Sequence, residues 1–236
     1  MENAVAIVTG AAGSLGTELS VQLAGQGWSV VMLDKNRSGL EQAYDRIGEG
    51  ASGSAVLHPM DLSEATPESF EQLLESVKGE LGGLDALVHC AAHFESLTPA
   101  EHIQPQEWLL SLQVNLNAAW LLSALALPLL RESRAGRLIY LLEDMKKVGG
   151  ALWGAYGVSK HALLALAGQL AAECDTDSLQ VRAVNPGPMS SPIRSRVYHS
   201  ENPSEVPSAE GAASRIVAYL EGEESWSQVL VDLTPD

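Results

Sequence analysis

The segment IVTGAAGSLGTEL, Ile7 to Leu19, most narrows what this chain can become. A β-branched run ends at Thr9, Gly10, Gly13 and Gly16 follow at three-residue spacing, and helix-forming residues come next. Small residues at a strand-to-helix turn let the backbone bend sharply and come close to a ligand. The free N–H groups of the first helical turn, at Ser14 and Leu15, then face that ligand, an arrangement suited to a pyrophosphate. Glycines can also serve only to pack a helix on a strand, so the reading needs a second feature. Asp34 supplies it: it closes the next β-branched run, at the spacing of a carboxylate that accepts hydrogen bonds from the adenosine ribose. A carboxylate there favours NAD and repels a 2′-phosphate. Lys35 and Arg37 stand close enough to offset part of that repulsion, so NADP stays open, and Asp34 could alternatively do no more than cap a turn.

Short β-branched runs alternate with longer segments of helical periodicity. The runs cover 4–9, 28–34, 54–61, 84–91, 136–142, 179–186 and 227–233. Such alternation predicts an α/β fold: a Rossmann-type, doubly wound sheet of about seven mainly parallel strands with helices on both faces and ligands at the strands' carboxyl ends. One domain over residues 1–236 is expected. The one loop-like tract, Pro186 to Ser208, is long enough for a substrate lid, although an ordinary mobile loop fits as well.

A formal net charge of −16 repels nucleic-acid backbones and anionic membrane surfaces, which excludes nucleic acid as an expected partner. The two cysteines, Cys90 and Cys174, lie in apolar surroundings without metal-ligand spacing, so reduced thiols and no metal are expected. The chain runs from Met1 into an apolar strand without a basic leader, predicting a cytoplasmic protein. The longest apolar run, Ala118 to Leu130, is interrupted by Ser123 and Pro128. It reads as a buried helix too short to cross a bilayer, with no membrane association.

Later in the chain AYGVSK places Tyr156 and Lys160 on one helix face, where phenol and ammonium could reach a single substrate atom. TGAAGSLG, Asp61-Leu62, NLN at Asn115 to Asn117, YGVSK and NPGP occur in that order. With this set the chain resembles the short-chain dehydrogenase/reductase family over essentially its whole length. The resemblance implies a nicotinamide cofactor, a small-molecule carbonyl/alcohol substrate, and Tyr156 as acid/base beside Lys160. It also implies a proton-relay water on Asn115, Asp61 near the adenine, and Leu62 and Ala91 at the cofactor. Pro186 and Gly187 would approach the nicotinamide, with Ser191 standing where the family usually has a Thr on the carboxamide. Asn115 could instead satisfy only a local carbonyl. A phenol is a weak base until its pKa falls, and the Lys160 ammonium is expected to favour the phenolate.

The pattern breaks at one place. The family normally carries a Ser thirteen positions before the Tyr, and here that position is Glu143, with no Ser or Thr from Leu138 to Ala155. A carboxylate accepts hydrogen bonds but donates none, and losing one oxyanion donor costs on the order of 3 kcal/mol in barrier. Burial could protonate Glu143 so that it donates, or Lys146 and Lys147 could draw Glu143 and Asp144 outward as a solvated turn. Ser14 and the HCAA element at His89 to Ala92 also depart from the short form. They fit the extended and atypical branches better, although too few residues follow NPGP for the extended substrate domain. His89 reads as a packed strand-end residue.

Two readings follow. The leading one is an NAD(P)-dependent oxidoreductase with an altered oxyanion site; the other is a weak or inactive relative that binds a dinucleotide and works in redox sensing or protein interaction. Apolar surplus on the helices around Trp120 and Leu163 predicts a homodimer or homotetramer. The substrate would be recognised by residues 188–207 and His93 to Leu97.

Overall fold

The computed structural model describes residues 4–48, 51–174 and 178–234. Met1 to Asn3, on which the leader reading drew, lie outside that set. Seven strands form one sheet: β1 Val5–Thr9, β2 Ser29–Asp34, β3 Ser54–Pro59, β4 Ala86–His89, β5 Gly136–Leu141, β6 Leu179–Asn185 and β7 Leu230–Asp232. Their order is β3-β2-β1-β4-β5-β6-β7, and every pairing is parallel. The helices are α1 Ser14–Gly25, α2 Arg37–Asp45, α3 Pro67–Ser76, α4 Pro105–Leu112, α5 Ala118–Glu132, α6 Met145–Val148, α7 Gly154–Cys174, α8 Pro192–Val197 and α9 Glu210–Leu220.

The uninterrupted apolar runs become strands because helices cover both faces of the sheet. Every residue of β1 is buried. On one face Ile7, Leu87 and Leu138 pack with residues of α3, α5 and α7; on the other Val8, Met32 and Val88 pack with α1 and α9. Chain direction across the sheet reverses between β1 and β4, so a crevice opens at their carboxyl ends, the switch point where ligands of such sheets bind.

The predicted runs overshoot at their carboxyl ends. Met60 and Asp61 follow β3, Cys90 and Ala91 follow β4, and Leu142 follows β5. These residues leave the ladder because they form the crevice wall.

Two expectations need correction. The run from Ala118 to Leu130 is one part of a continuous 28-residue helix, Pro105–Glu132, long and apolar enough to span a bilayer by length and composition. Pro128 does not end it, and a wide π-type turn over Gln113–Asn117 joins its two halves. The case for a core helix therefore rests on packing: Ala118, Leu122, Ala126 and Leu130 are buried in the cluster that covers the sheet. The Pro186 to Ser208 tract is likewise no plain loop. It contains α8, whose N-cap Ser191 accepts from the Arg194 N–H; it is braced internally by a two-pronged Arg194–Glu201 pair at 2.6 and 2.5 Å and tied to the chain after β4 by Arg196 Nη1 donating to the Phe94 carbonyl at 2.6 Å.

Candidate active site

The glycine turn is a backbone construction. Gly10 has φ +68°, and a Cβ there would lie 2.6 Å from the Ala91 amide nitrogen, so the end of β1 fits against the chain leaving β4 only without a side chain. At Gly16 a Cβ would stand 2.2 Å from the Gly10 carbonyl oxygen, which lets α1 start directly under the turn. Gly13 is the N-cap and supplies no side-chain acceptor. Ser14, Leu15 and Gly16 line the crevice at this end, so the first-turn amides and the positive end of the helix are left for an anion.

At the adenosine end Asp34, Lys35, Asp61 and Leu62 line the same crevice. Asp34 does cap a turn: Oδ1 accepts from Asn36 N at 2.9 Å and Oδ2 from Ala12 N at 3.1 Å, which ties β2 to the glycine turn. Each oxygen keeps a lone pair for a ribose hydroxyl. Burial works against the Asp61 carboxylate, but two hydrogen bonds from Ser63, with Lys35 and His93 nearby, outweigh it and hold its pKa below the usual range.

The inner end is built from β5 and α7. After Leu141 the chain turns through Glu143 to Asp144, which caps α6 by accepting from Lys146 N and Lys147 N at 3.0 and 3.2 Å. Gly157 lets α6 press against α7, since a Cβ there would stand 2.1 Å from the Val148 carbonyl oxygen. Tyr156 and Lys160 then face the crevice one turn apart, both buried. Tyr156 donates its hydroxyl to Glu143 Oε1 at 2.8 Å, and Lys160 Nζ donates to the Leu141 carbonyl at 2.8 Å while lying 5.5 Å from the Tyr156 ring centre.

This geometry corrects two expectations. Glu143 is not drawn outward by Lys146 and Lys147; only Asp144 is spent on that turn, and Glu143 points into the crevice as an acceptor. Nor is the phenolate favoured. Burial, together with the charge of Glu143 and the hydrogen bond to it, pushes the Tyr156 hydroxyl well above its ordinary pKa. Burial likewise lowers Lys160, with Glu143 opposing that shift.

Asn115 sits in the π-type turn, buried; one of its bonds is local, Nδ2 to Ser111 Oγ one turn back at 3.3 Å, and the others reach other elements. Oδ1 accepts from His93 N at 2.6 Å, and Nδ2 donates to the His93 carbonyl at 3.0 Å and to Ser159 Oγ at 3.0 Å. It stands behind the crevice wall rather than on it. Pro186 and Ser191 line the crevice, whereas Gly187, at φ +78°, turns the chain beside Thr234 and is not on the lining. Ser191 spends its hydroxyl oxygen as the α8 cap. Cys90 lines the wall beneath Lys160, and burial pushes its thiol up to about 12, with Lys160 acting the other way. His89 is packed as expected: it hydrogen-bonds Ser123 Oγ at 2.9 Å and stacks on Tyr140.

Sequence reasoning did not find the supports of Asn115, nor the aromatic corner behind Tyr156. Phe94 and Trp153 lie 5.2 and 5.8 Å from its ring and form one small core with it. Only the spacing of Trp153 before Tyr156 hinted at that contact. His93 with Glu95 and Glu107 was also missed; their ligand-capable atoms fall within 4.8 Å of one another, and His93 already bonds Glu107 at 2.7 Å.

A family profile described as short chain dehydrogenase matches residues 4–202, most of the chain. The chain belongs to the short-chain dehydrogenase family. Among its relatives is the uncharacterized oxidoreductase YciK of Escherichia coli, 31% identical over 206 residues, covering 87% of this chain and 81% of the relative. Solved short chain dehydrogenases from Shigella flexneri, complexed with NADP, and from Escherichia coli, complexed with NADPH, each superpose with a TM-score of 0.87 at 29% identity, covering 100% of this chain and 98% of theirs. The fold of this short-chain dehydrogenase is thus the Rossmann-type sheet of its relatives, and a nicotinamide dinucleotide fits the residues in place: an uncapped helix end for the pyrophosphate and two carboxylates at the adenosine end.

Proposed function

We propose that the protein is an NAD(P)-dependent oxidoreductase that moves hydride between the nicotinamide ring and a carbon bearing the reacting heteroatom, a carbonyl/alcohol pair in the simplest case. One observation carries the reading: the Tyr156 hydroxyl and the Lys160 ammonium meet at the inner end of the crevice whose outer end is the glycine turn. A nicotinamide dinucleotide held along this crevice would supply or take the hydride. The chain's own residues do the rest: the α1 amides receive the pyrophosphate, Tyr156 holds the proton at the substrate heteroatom, and Lys160 keeps a positive charge beside it. Glu143 alters the oxyanion corner, because an acceptor stands where the family has a donor.

The second reading, a weak or inactive dinucleotide-binding relative, is favoured by the same hydrogen bond. A Tyr156 held protonated by a carboxylate is a poor base for an alcohol. Purified protein is to be titrated with NADH and NADPH by fluorescence, then assayed with a panel of ketones, aldehydes and imines alongside Glu143→Ser. Turnover by the wild-type protein supports the first reading. Tight cofactor binding with turnover appearing only in Glu143→Ser supports the second.

Cofactor choice is drawn two ways. Asp34 favours NAD, while Lys35 on the same wall and the relatives complexed with NADP and NADPH favour the phosphorylated form. The affinity ratio of the two reduced cofactors decides it. A homodimer or homotetramer is proposed from the outward face of the long helix, where Leu109 and Trp120 are 66% and 51% exposed, and from Val158 on α7 at 48%. Sedimentation showing only the 25.0 kDa species would contradict it.

A further inference from the structure

Resting on the hydride-transfer reading, we propose that the substrate of this site is a cyclic or secondary imine/amine pair, whose cationic iminium nitrogen is received by the Glu143 carboxylate, rather than a ketone/alcohol pair.

The hydrogen-bond inventory of the corner comes first. A carbonyl oxygen needs donors, and it gains charge as hydride arrives. The two donors nearest the reacting position are already committed, Tyr156 to Glu143 at 2.8 Å and Lys160 to the Leu141 carbonyl at 2.8 Å, and no Ser or Thr lies between Leu138 and Ala155. What the corner offers without rearrangement is a negatively charged hydrogen-bond acceptor. An iminium N–H⁺ matches it in both charge and hydrogen-bond sense.

The surroundings agree. Behind Tyr156 a second cavity of about 440 Å³ opens against Phe94, Trp108 and Trp153, with Glu95, Glu107 and His102 also lining it and no Lys or Arg among its lining residues. Aromatic faces with carboxylates favour a cation over a neutral ketone. Tyr156 lines both this cavity and the cofactor crevice, so a bicyclic substrate lying in the cavity presents its ring atoms to the nicotinamide position. The charges of Lys160 and Arg194 also act on Glu143, but each cation nearby has its own partner: Lys160 donates to the Leu141 carbonyl, Arg194 pairs with Glu201, Lys147 lies over Tyr198, and Arg196 donates to the Phe94 carbonyl.

The step balances without a proton from the protein. Hydride and its electron pair pass from the reduced nicotinamide to the iminium carbon, the C=N π pair becomes the lone pair of the neutral amine, and the oxidised cofactor remains. In the reverse direction the amine nitrogen develops positive charge as hydride leaves, and Glu143 stabilises that charge as an oxyanion donor would stabilise an alkoxide. Tyr156 stays neutral throughout, in keeping with its raised pKa.

The test follows reduced-cofactor consumption with dihydroisoquinoline and with tetralone, its ketone counterpart, for wild-type protein, Glu143→Gln and Glu143→Ser. A second measurement, needing no variant, compares tetrahydroisoquinoline and tetralol as inhibitors. The expected result is kcat/KM at least about tenfold higher for the imine in the wild type, the order reversed in both variants, and the amine binding more tightly than the alcohol. Ketone preference in the wild type, or a preference unchanged in Glu143→Gln, overturns the imine assignment and leaves hydride transfer standing. Bound cofactor with no turnover of either class by any of the three proteins overturns both.

Discussion

The two ends of the crevice are made differently. The phosphate end is backbone: Gly10, Gly13 and Gly16 contribute an absence of side chains, and their positions are enforced by contacts of 2.2 to 3.1 Å that any Cβ would make. The Tyr156 end is side chain: its properties depend on which group follows β5 and where that group points. Backbone sites tolerate few residue types, so they read clearly from sequence. A side-chain site can change the group it presents without disturbing the fold, and here that group is the carboxylate of Glu143, which points into the crevice.

The largest expected effect tests the Tyr156 end alone. Tyr156→Phe keeps the ring packing with Phe94 and Trp153 and removes the hydroxyl, so turnover of a carbonyl is expected to fall by about 10²- to 10⁴-fold while cofactor affinity holds. An unchanged rate in a stopped-flow assay would remove Tyr156 from the chemistry. The converse variant, Gly16→Ala, should weaken NADH and NADPH binding by roughly ten- to a hundredfold, the equivalent of 1–3 kcal/mol of local strain, and leave the Tyr156–Glu143 bond in place. Calorimetric titration measures it, and wild-type affinity in that variant would dissolve the contrast between the two ends.

A smaller effect belongs to the adenosine wall. Asp34→Asn keeps an oxygen for Ala12 N or Asn36 N and removes the charge, so the NADPH-to-NADH affinity ratio should rise about tenfold. Equal ratios in both proteins would show that Lys35, not Asp34, governs the choice.

The smallest effect at neutral pH lies under the site. His89, buried and neutral, has its pKa brought to about 3 by desolvation. A folded-state value below the unfolded one means that the unfolded chain binds the extra proton. Its contribution is therefore complete above about pH 6.5 and fades as pH falls toward about 3, amounting to no more than about 5 kcal/mol. His89→Phe preserves the stack on Tyr140, and Ser123 keeps its bonds to Ala119 and Tyr140, so denaturant midpoints of this variant should depend less on pH in that window. Parallel curves would place the acid sensitivity elsewhere.

Sequence reading recovered the sheet because its strands are buried on both faces and carry no competing helical period. It recovered the glycine turn and the Tyr156/Lys160 pair because each depends on spacing within one element. The path of Glu143 escaped it, since Asp144 takes the α6 cap and thereby leaves Glu143 facing inward, a choice made by main-chain direction after Leu141. The partners of Asn115 were illegible for a similar reason: His93 and Ser159 arrive from different elements. Pro128 misled because a proline on the exposed side of a long packed helix is carried by tertiary contacts that outweigh one missing amide.

Lys160 is tethered to the carbonyl of Leu141, the last residue of β5, two positions ahead of Glu143. Ammonium and carboxylate are thus yoked to one rail: a displacement of that strand carries both together, while replacement of residue 143 swaps the tool bit and leaves the chuck where it was. Changing what this end of the crevice presents to a ligand accordingly begins at a single codon.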